Sequence, residues 1–141
     1  MSNNLKQFLA DLEKETEQVK TELNQEIKGT AEAVQGSLLS PKGLGGTPKQ
    51  TGNLRANWIV TVDSMYSGLV GSKENVDTST RDSNWSSFLN LQDLYSKSNI
   101  YWNNNVEYGE AVNYGTPTIA AQNFRETAIQ AGEVWIRGNK K

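Results

Sequence analysis

Carboxylates carry whatever acid–base chemistry this chain can perform, because its 141 residues include neither histidine nor cysteine. That absence excludes a Ser-His-Asp triad, a thiol nucleophile, a disulfide framework and a zinc ribbon. Glu107 and Glu110 lie three residues apart in a segment with helical spacing, so they could share a face as a glycosidase pair would. The alternative, which we favour, is that they are exposed to solvent or pair with Arg55 or Arg125, since no other feature builds a sugar groove. We therefore expect no catalytic residues and no enzymatic activity.

Metal, cofactor and membrane sites are not expected either. A divalent cation needs several converging oxygens, and the remaining aspartates lack the spacing of an EF-hand. The glycine-rich stretch at residues 40–50 lacks the Gly-Lys-Ser/Thr ending of a phosphate-binding loop. No run approaches the roughly 18 apolar residues of a membrane span, and the N-terminus does not resemble a signal peptide. The aspartates in question are Asp63, Asp77, Asp82 and Asp93.

The elements that must position any site begin with a long helical arm, residues 1–39. Apolar residues recur at steps of three or four between residues 5 and 38, which is the period of an amphipathic helix. Gly29 and Gly36 each weaken a helix by roughly 1 kcal/mol, so we expect bending or fraying in the last third. The apolar positions are Leu5, Phe8, Leu9, Leu12, Val19, Leu23, Ile27, Ala31, Val34 and Leu38.

The charge and the length of this arm suggest a partner. Residues 1–40 carry four lysines and seven acidic residues, whereas the whole chain has a net charge of only −2. A helix of this length spans roughly 50 Å, while a body of about 100 residues has a radius of gyration near 13 Å. Two interpretations remain open: a solvated helix lying on its own sheet, or one that also packs against a neighbouring subunit.

The rest of the chain is predicted to form an α+β body at residues 51–136. The whole chain, residues 1–141, is predicted to be a single domain. A flexible, exposed loop is predicted at 40–50, and a strand at 58–63 with a hairpin return at 69–71. A long polar loop at 72–98 contains a short helix near 85–95, and a further strand follows at 100–102. A short helix at 108–115, a final helix at 122–135 and a loose basic tail at 137–141 complete the prediction. The fold class is a long N-terminal helix packed on a small antiparallel β-sheet, with a short helix and a C-terminal helix.

Four tryptophans supply the candidate core and one candidate contact. Leu54 and Trp58 are predicted core anchors at the start of the first strand. Trp85 lies in the polar loop, so it is the best candidate for an interface anchor among the four. Arg55 fits two roles, a structural ion pair or a contact between subunits. Basic residues form no stripe, so sequence-specific DNA reading is not expected.

Three segments together resemble one protein family. Residues 51–58, TGNLRANW, are similar to the pattern T-G-x-L-R-x-S-[WI] of tail-completion, or neck, proteins of tailed bacteriophages, also described as minor tail protein Z-like. Residues 108–116, YGEAVNYGT, resemble the family's Y-A-x-x-V-E-[FY]-G-T. Phe124 and Ala128 resemble its closing P-F-[LI]-x-x-A helix. The chain departs from these patterns at Gly109, Asn113 and Asn123.

The resemblance implies a structural protein of the virion, assembled in the cytoplasm of a bacterial host. Copies would form a ring, usually of hexameric symmetry, that joins the head-side connector or stopper proteins to the tail terminator or tail tube. Viral DNA would pass through its lumen without sequence-specific binding, which favours an acidic or neutral wall. A tail terminator that caps the tube and a small non-viral adaptor are the alternatives. The matched or nearby positions expected at interfaces are Arg55, Trp85, Tyr108, Glu110, Asn113 and Tyr114, and the core motif is Leu54, Trp58 and Phe124.

Overall fold

The computed structural model describes residues 2–40, 45–48, 52–107, 109–115 and 123–139. Within these ranges the chain is α+β, with helices contributing most of the regular structure. The elements in order are α1 (Ser2–Leu39), α2 (Asn53–Ala56), β1 (Ile59–Val62), α3 (Thr78–Leu89), a 3₁₀ turn (Leu94–Ser96), β2 (Ile100–Asn103), α4 (Gly109–Tyr114) and α5 (Phe124–Asn139).

Helix α1 is continuous over 38 residues, and its second half packs mainly on α5. Gly29 in α1 and Gly132 in α5 permit close approach of the two helices. A Cβ added at Gly29 would lie 2.1 Å from the Trp135 ring, and one added at Gly132 would lie 2.9 Å from Val34 Cγ2. The expected fraying is therefore wrong, because packing on α5 holds the helix to Leu39 despite the weak propensity of glycine.

The sheet has two antiparallel strands, β1 and β2, with Val60 opposite Trp102. The predicted hairpin return at 69–71 is wrong, because β1 instead pairs with a segment some forty residues further along the chain. Asp63 turns the chain in a left-handed conformation, φ 61°, and its carboxylate accepts hydrogen bonds from the backbone N–H groups of Ser98 and Asn99 at 2.8 and 3.0 Å. These bonds tie the end of β1 to the entry of β2.

Helix α3 occupies much of the segment predicted as a loop. It begins at Thr78, seven residues before the expected helix start, and ends at Leu89. Asp77 caps it: the carboxylate accepts from Thr80 N at 3.1 Å, Ser79 Oγ at 2.8 Å and Thr80 Oγ1 at 2.5 Å. This cap compensates for a serine- and threonine-rich first turn, which the apolar pattern did not reveal as helix.

Hydrogen bonds from the Thr80 side chain, then from Ser79 and the Thr80 backbone, lower the pKa of Asp77 from 3.8 to about 2. Its folded pKa lies below the unfolded value, so the stabilisation by the cap is present above pH 3.8 and is lost as pH falls through 2. We expect an NMR titration of the Asp77 carboxyl to give a midpoint near 2. Thr80→Ala, which removes the largest contribution, should move that midpoint upward; an unchanged midpoint would contradict this account.

Two apolar clusters hold the body together. The first joins the end of α1 to α2 and α5 through Leu38, Leu54, Trp58, Phe124 and Ala128. The rings of Trp58 and Phe124 meet edge to face, with centroids 6.1 Å apart. The second cluster lies between α1, β1, α3 and the 3₁₀ turn. Its buried members are Ala31, Val60, Phe88 and Leu94.

Two segments predicted to be loose are buried or helical in their described parts. In the loop at 40–50, only residues 40 and 45–48 are described, and there Gly46 and Thr47 are buried rather than exposed. The predicted basic tail is helical as far as Asn139, because α5 continues past Trp135. Arg137 there lies 3.6 Å from Glu133, one turn earlier. The last two residues of the tail lie outside the described part of the chain.

Candidate assembly site

The structure describes the predicted carboxylate pair only in part. Glu107 is exposed, while the side chain of Glu110 lies outside the described part of the chain, so their predicted pairing has no geometry to report. Within the described ranges, no three acidic side chains come together in a way that could hold a metal ion. What the structure does bring together is a set of polar side chains that tie one segment of backbone to another.

Arg55 joins the end of α1 to the start of the body. Its Nε donates to Thr47 O at 2.8 Å, and one terminal nitrogen donates to Leu39 O at 3.0 Å and to Ser40 O. Leu39 is the last residue of α1, where the helix dipole is negative and the final carbonyls lack helical partners. The guanidinium therefore acts as a cationic cap on α1, and the hydrogen bonds described for it are all to backbone carbonyls of this chain.

Arg55→Ala should lower the free energy of unfolding by about 1.5–3 kcal/mol, because it removes charge-assisted bonds to partly buried carbonyls. Arg55→Lys keeps the charge but not the planar fork, so its loss should be intermediate. Chemical denaturation followed by far-UV circular dichroism would measure both changes. If Arg55→Ala unfolded at the wild-type denaturant concentration, the cap would have no energetic role.

Asn113 joins α4 to the start of α5 and is fully buried. Its Oδ1 accepts from Arg125 N at 3.0 Å, its Nδ2 lies 3.2 Å from both carboxylate oxygens of Glu126, and its carbonyl accepts from Asn123 N. The side chain thus satisfies a free N–H in the first turn of α5. As a fully buried group, it contacts its own chain rather than offering a surface to a partner.

Tyr114 and Trp85 are the other interface candidates with described side chains. Tyr114 is exposed, with its ring 5.9 Å from the Arg125 guanidinium, so this pair forms a cationic aromatic patch beside Asn113. Trp85 is half-buried and stacks on Phe88 at 5.4 Å against the second cluster, so much of its ring packs within the chain. Tyr108 lies outside the described residues.

Asparagine side chains form clamps that sequence reasoning missed. The Asn57 amide donates to Val70 O at 2.9 Å and accepts from Val70 N at 2.8 Å, as a paired strand would. Asn84 does the same with both backbone groups of Val60, on the edge of β1 that β2 leaves free. Asn24 on α1 bonds Leu94 N and Leu91 O. The sequence around each asparagine does not predict these bonds, because the backbone group that it bonds is distant in the chain.

An exposed apolar surface runs along the first half of α1. Every side chain from residue 4 to residue 19 is exposed, and packing on the body begins at Lys20 and Asn24. We call residues 4–23 the distal segment. Six large apolar side chains there are 44–62% exposed, although the segment meets the body at Lys20, whose ammonium lies over the Tyr95 ring. They are Leu5, Phe8, Leu9, Leu12, Val19 and Leu23.

A second apolar surface lies between α1, β2 and α5. It is a groove of about 430 Å³ whose lining includes Val34, Trp58, Trp102 and Ile129, with Arg125 at its edge. Ile129 is 60% exposed, so the groove opens to solvent over an apolar rim. Exposed apolar area of this kind on a small chain is typical of a surface that contacts another protein.

Comparison of the chain with models of protein families gave no match, and comparisons with curated proteins and with solved structures gave none that was significant. In the described ranges, no helix is both long enough and apolar enough to cross a membrane.

Proposed function

We propose that this chain is a structural protein of a tailed bacteriophage, a tail-completion or neck protein without enzymatic activity. Copies form a ring at the head–tail junction, where they join the connector to the tail tube and let DNA pass. The exposed apolar distal segment carries this proposal. A helix with an uncovered apolar stripe is suited to contact a neighbour.

The three matched segments support the proposal by what their residues do. In residues 51–58, Arg55 caps α1, while Leu54 and Trp58 lie in the first cluster. In residues 108–116, Val112 packs against the same cluster, and Phe124 packs on Trp58. The matched segments therefore meet in one core, which is what a shared fold requires of positions far apart in sequence.

Surface charge agrees with a passive DNA conduit. The chain has a net charge of −2, and the acidic residues concentrate on α1. A basic wall would retain DNA through its phosphates, whereas an acidic or neutral wall lets it slide. Arg125 beside Tyr114 is a local exception, which fits a protein contact better than a lumen.

Deletion of the coding sequence from the phage genome tests this role. We expect filled heads and finished tails that do not join, and we expect purified protein added to the mixture to join them. Negative-stain electron microscopy would score both results. Tails of irregular length would instead identify a tail terminator, and infectious particles with normal necks would show that the chain has no part in assembly.

A further inference from the structure

The apolar residues of the distal segment follow the spacing of a coiled coil, which is more specific than general amphipathicity. Positions 5, 9, 12, 16, 19 and 23 are separated by alternating steps of four and three residues, a period of 3.5. Five of the six are large aliphatic side chains, 44–59% exposed. We call this set the seam. In heptad terms its d positions are Leu5, Leu12 and Val19, and its a positions are Leu9, Thr16 and Leu23.

The period specifies the kind of partner. A seam repeating every 3.5 residues is the pattern that a second helix covers along its whole length by winding around it, because each side chain enters a hole between four residues of that helix. The occupant that fits the whole seam is therefore a helix with the same repeat.

The charges beside the seam fit a second copy of this chain in parallel orientation. In a parallel pair, position g of one helix lies beside position e of the next heptad on the other. This places Glu15 of each copy beside Lys20 of the other, giving two opposite-charge pairs and no like-charge pair. Lys20 also has contacts within its own chain: its ammonium lies 5.6 Å from the centre of the Tyr95 ring, and 3.3 Å from Glu17 in an exposed pair of little energetic weight.

The antiparallel alternative is disfavoured by the same charges. Aligning the seam end to end in opposite directions brings Glu15 of the two copies together, and likewise Glu13 of the two copies. It also places Lys6 of one copy beside Lys20 of the other. Each of these is a like-charge contact, which destabilises the pairing.

We propose that the distal segments of two copies pair in parallel through the seam, forming a short coiled coil. The proposal rests on the proposed ring for the identity of the neighbour, and it adds the surface and the orientation. The pair is isologous and closes with two copies, so it does not by itself close a ring; within a ring it would join copies two by two, with both copies pointing the same way along the axis. The seam covers fewer than three heptads, and one of its positions is the polar Thr16. We therefore expect reversible pairing, in which the paired fraction rises with protein concentration.

A charge exchange tests the orientation on the full-length chain. Glu15→Lys alone and Lys20→Glu alone each convert both pairs of a homodimer into like charges, so each should self-associate roughly ten-fold more weakly, about 1.4 kcal/mol. An equal mixture of the two variants restores opposite charges in the mixed dimer and should associate like wild type. Sedimentation equilibrium over a range of concentrations would measure all three.

A seam substitution with a matched control tests the surface. Leu12→Asp should leave the chain monomeric, whereas Ala10→Asp, which adds the same charge to the same turn on the outer face, should not. Neither contacts the body, so circular dichroism should show a folded chain in both. Three results would each overturn the proposal. They are a wild-type chain that stays monomeric at millimolar concentration, a Leu12→Asp chain that associates like wild type, and a mixture of Glu15→Lys and Lys20→Glu chains that associates no more tightly than either variant alone. The proposed function would survive any of these if the chain were still found at the junction.

Discussion

Trp58→Ala is expected to lower the free energy of unfolding by about 3–5 kcal/mol, the range for truncating a buried aromatic side chain. The Trp58 ring is 3% exposed and lies edge to face with Phe124 in the cluster that joins α1, α2 and α5. Its indole N–H donates to Thr47 Oγ1 at 2.9 Å. The substitution therefore opens a cavity and leaves the fully buried Thr47 hydroxyl without that donor.

Urea denaturation monitored by circular dichroism would measure the loss for Trp58→Ala. Trp58→Phe keeps most of the ring but not the N–H donor, so it should lose less. Val134→Ala removes an apolar group that is 65% exposed and should change stability by no more than about 0.5 kcal/mol. A Trp58→Ala chain as stable as the Val134→Ala control would mean that this cluster is not the core.

Asn57→Ala is expected to cost about 2–5 kcal/mol, because it leaves both the N–H and the C=O of buried Val70 unpaired. The Asn57 amide supplies both bonds and also donates to Asn53 O at 2.8 Å. Val70 is 4% exposed, so water cannot easily take the place of the lost side chain. The segment around Val70 should then lose its attachment to α2.

Hydrogen exchange at Val70 N–H provides the specific readout, since its protection should fall more than that of β1. Asn99→Ala, which truncates an exposed asparagine, is the matched control and should change stability by no more than about 0.5 kcal/mol. Unchanged protection at Val70 in Asn57→Ala would show that the clamp does not hold this segment.

Helices were predictable from the sequence where an apolar repeat marks them. The period along α1 and α5 predicted both, since burial of one face imposes that spacing. Helix α3 begins earlier than predicted, because the Asp77 cap rather than an apolar face establishes its first turn. The partner of β1 was missed because pairing across about forty residues depends on where α3 and the Asp63 turn place the chain.

The sequence predicted the buried apolar residues of the candidate site but not its polar contacts. Leu54, Trp58 and Phe124 were expected in the core, and the structure places them together. Arg55 and Asn113 were predicted as interface positions, whereas in the structure each bonds a distant segment of its own chain: the end of α1 for Arg55 and the start of α5 for Asn113. Hydrogen bonds from a side chain to the backbone of a distant segment produce no repeating pattern in the sequence. The roles of Asn57 and Asn84 were therefore not predicted.

The seam leaves large apolar side chains exposed on the single chain, and this exposure supports the proposed contact between copies. Natural soluble chains rarely leave a contiguous apolar stripe uncovered unless something covers it. On α1 the stripe continues from the body, where α5 covers it, into the distal segment, where the described residues leave its large apolar side chains 44–62% exposed. The fold and the proposed role are therefore linked through a single helix.

Cryo-electron microscopy of purified phage particles tests the central proposal most directly. We predict a closed ring of this chain between the head connector and the tail tube, with a copy number matching the symmetry of the tail and with α1 of each copy against its neighbour. Density for α1 surrounded only by solvent would contradict the role assigned to the distal segment. Absence of the chain from purified particles would contradict the proposed function as a whole.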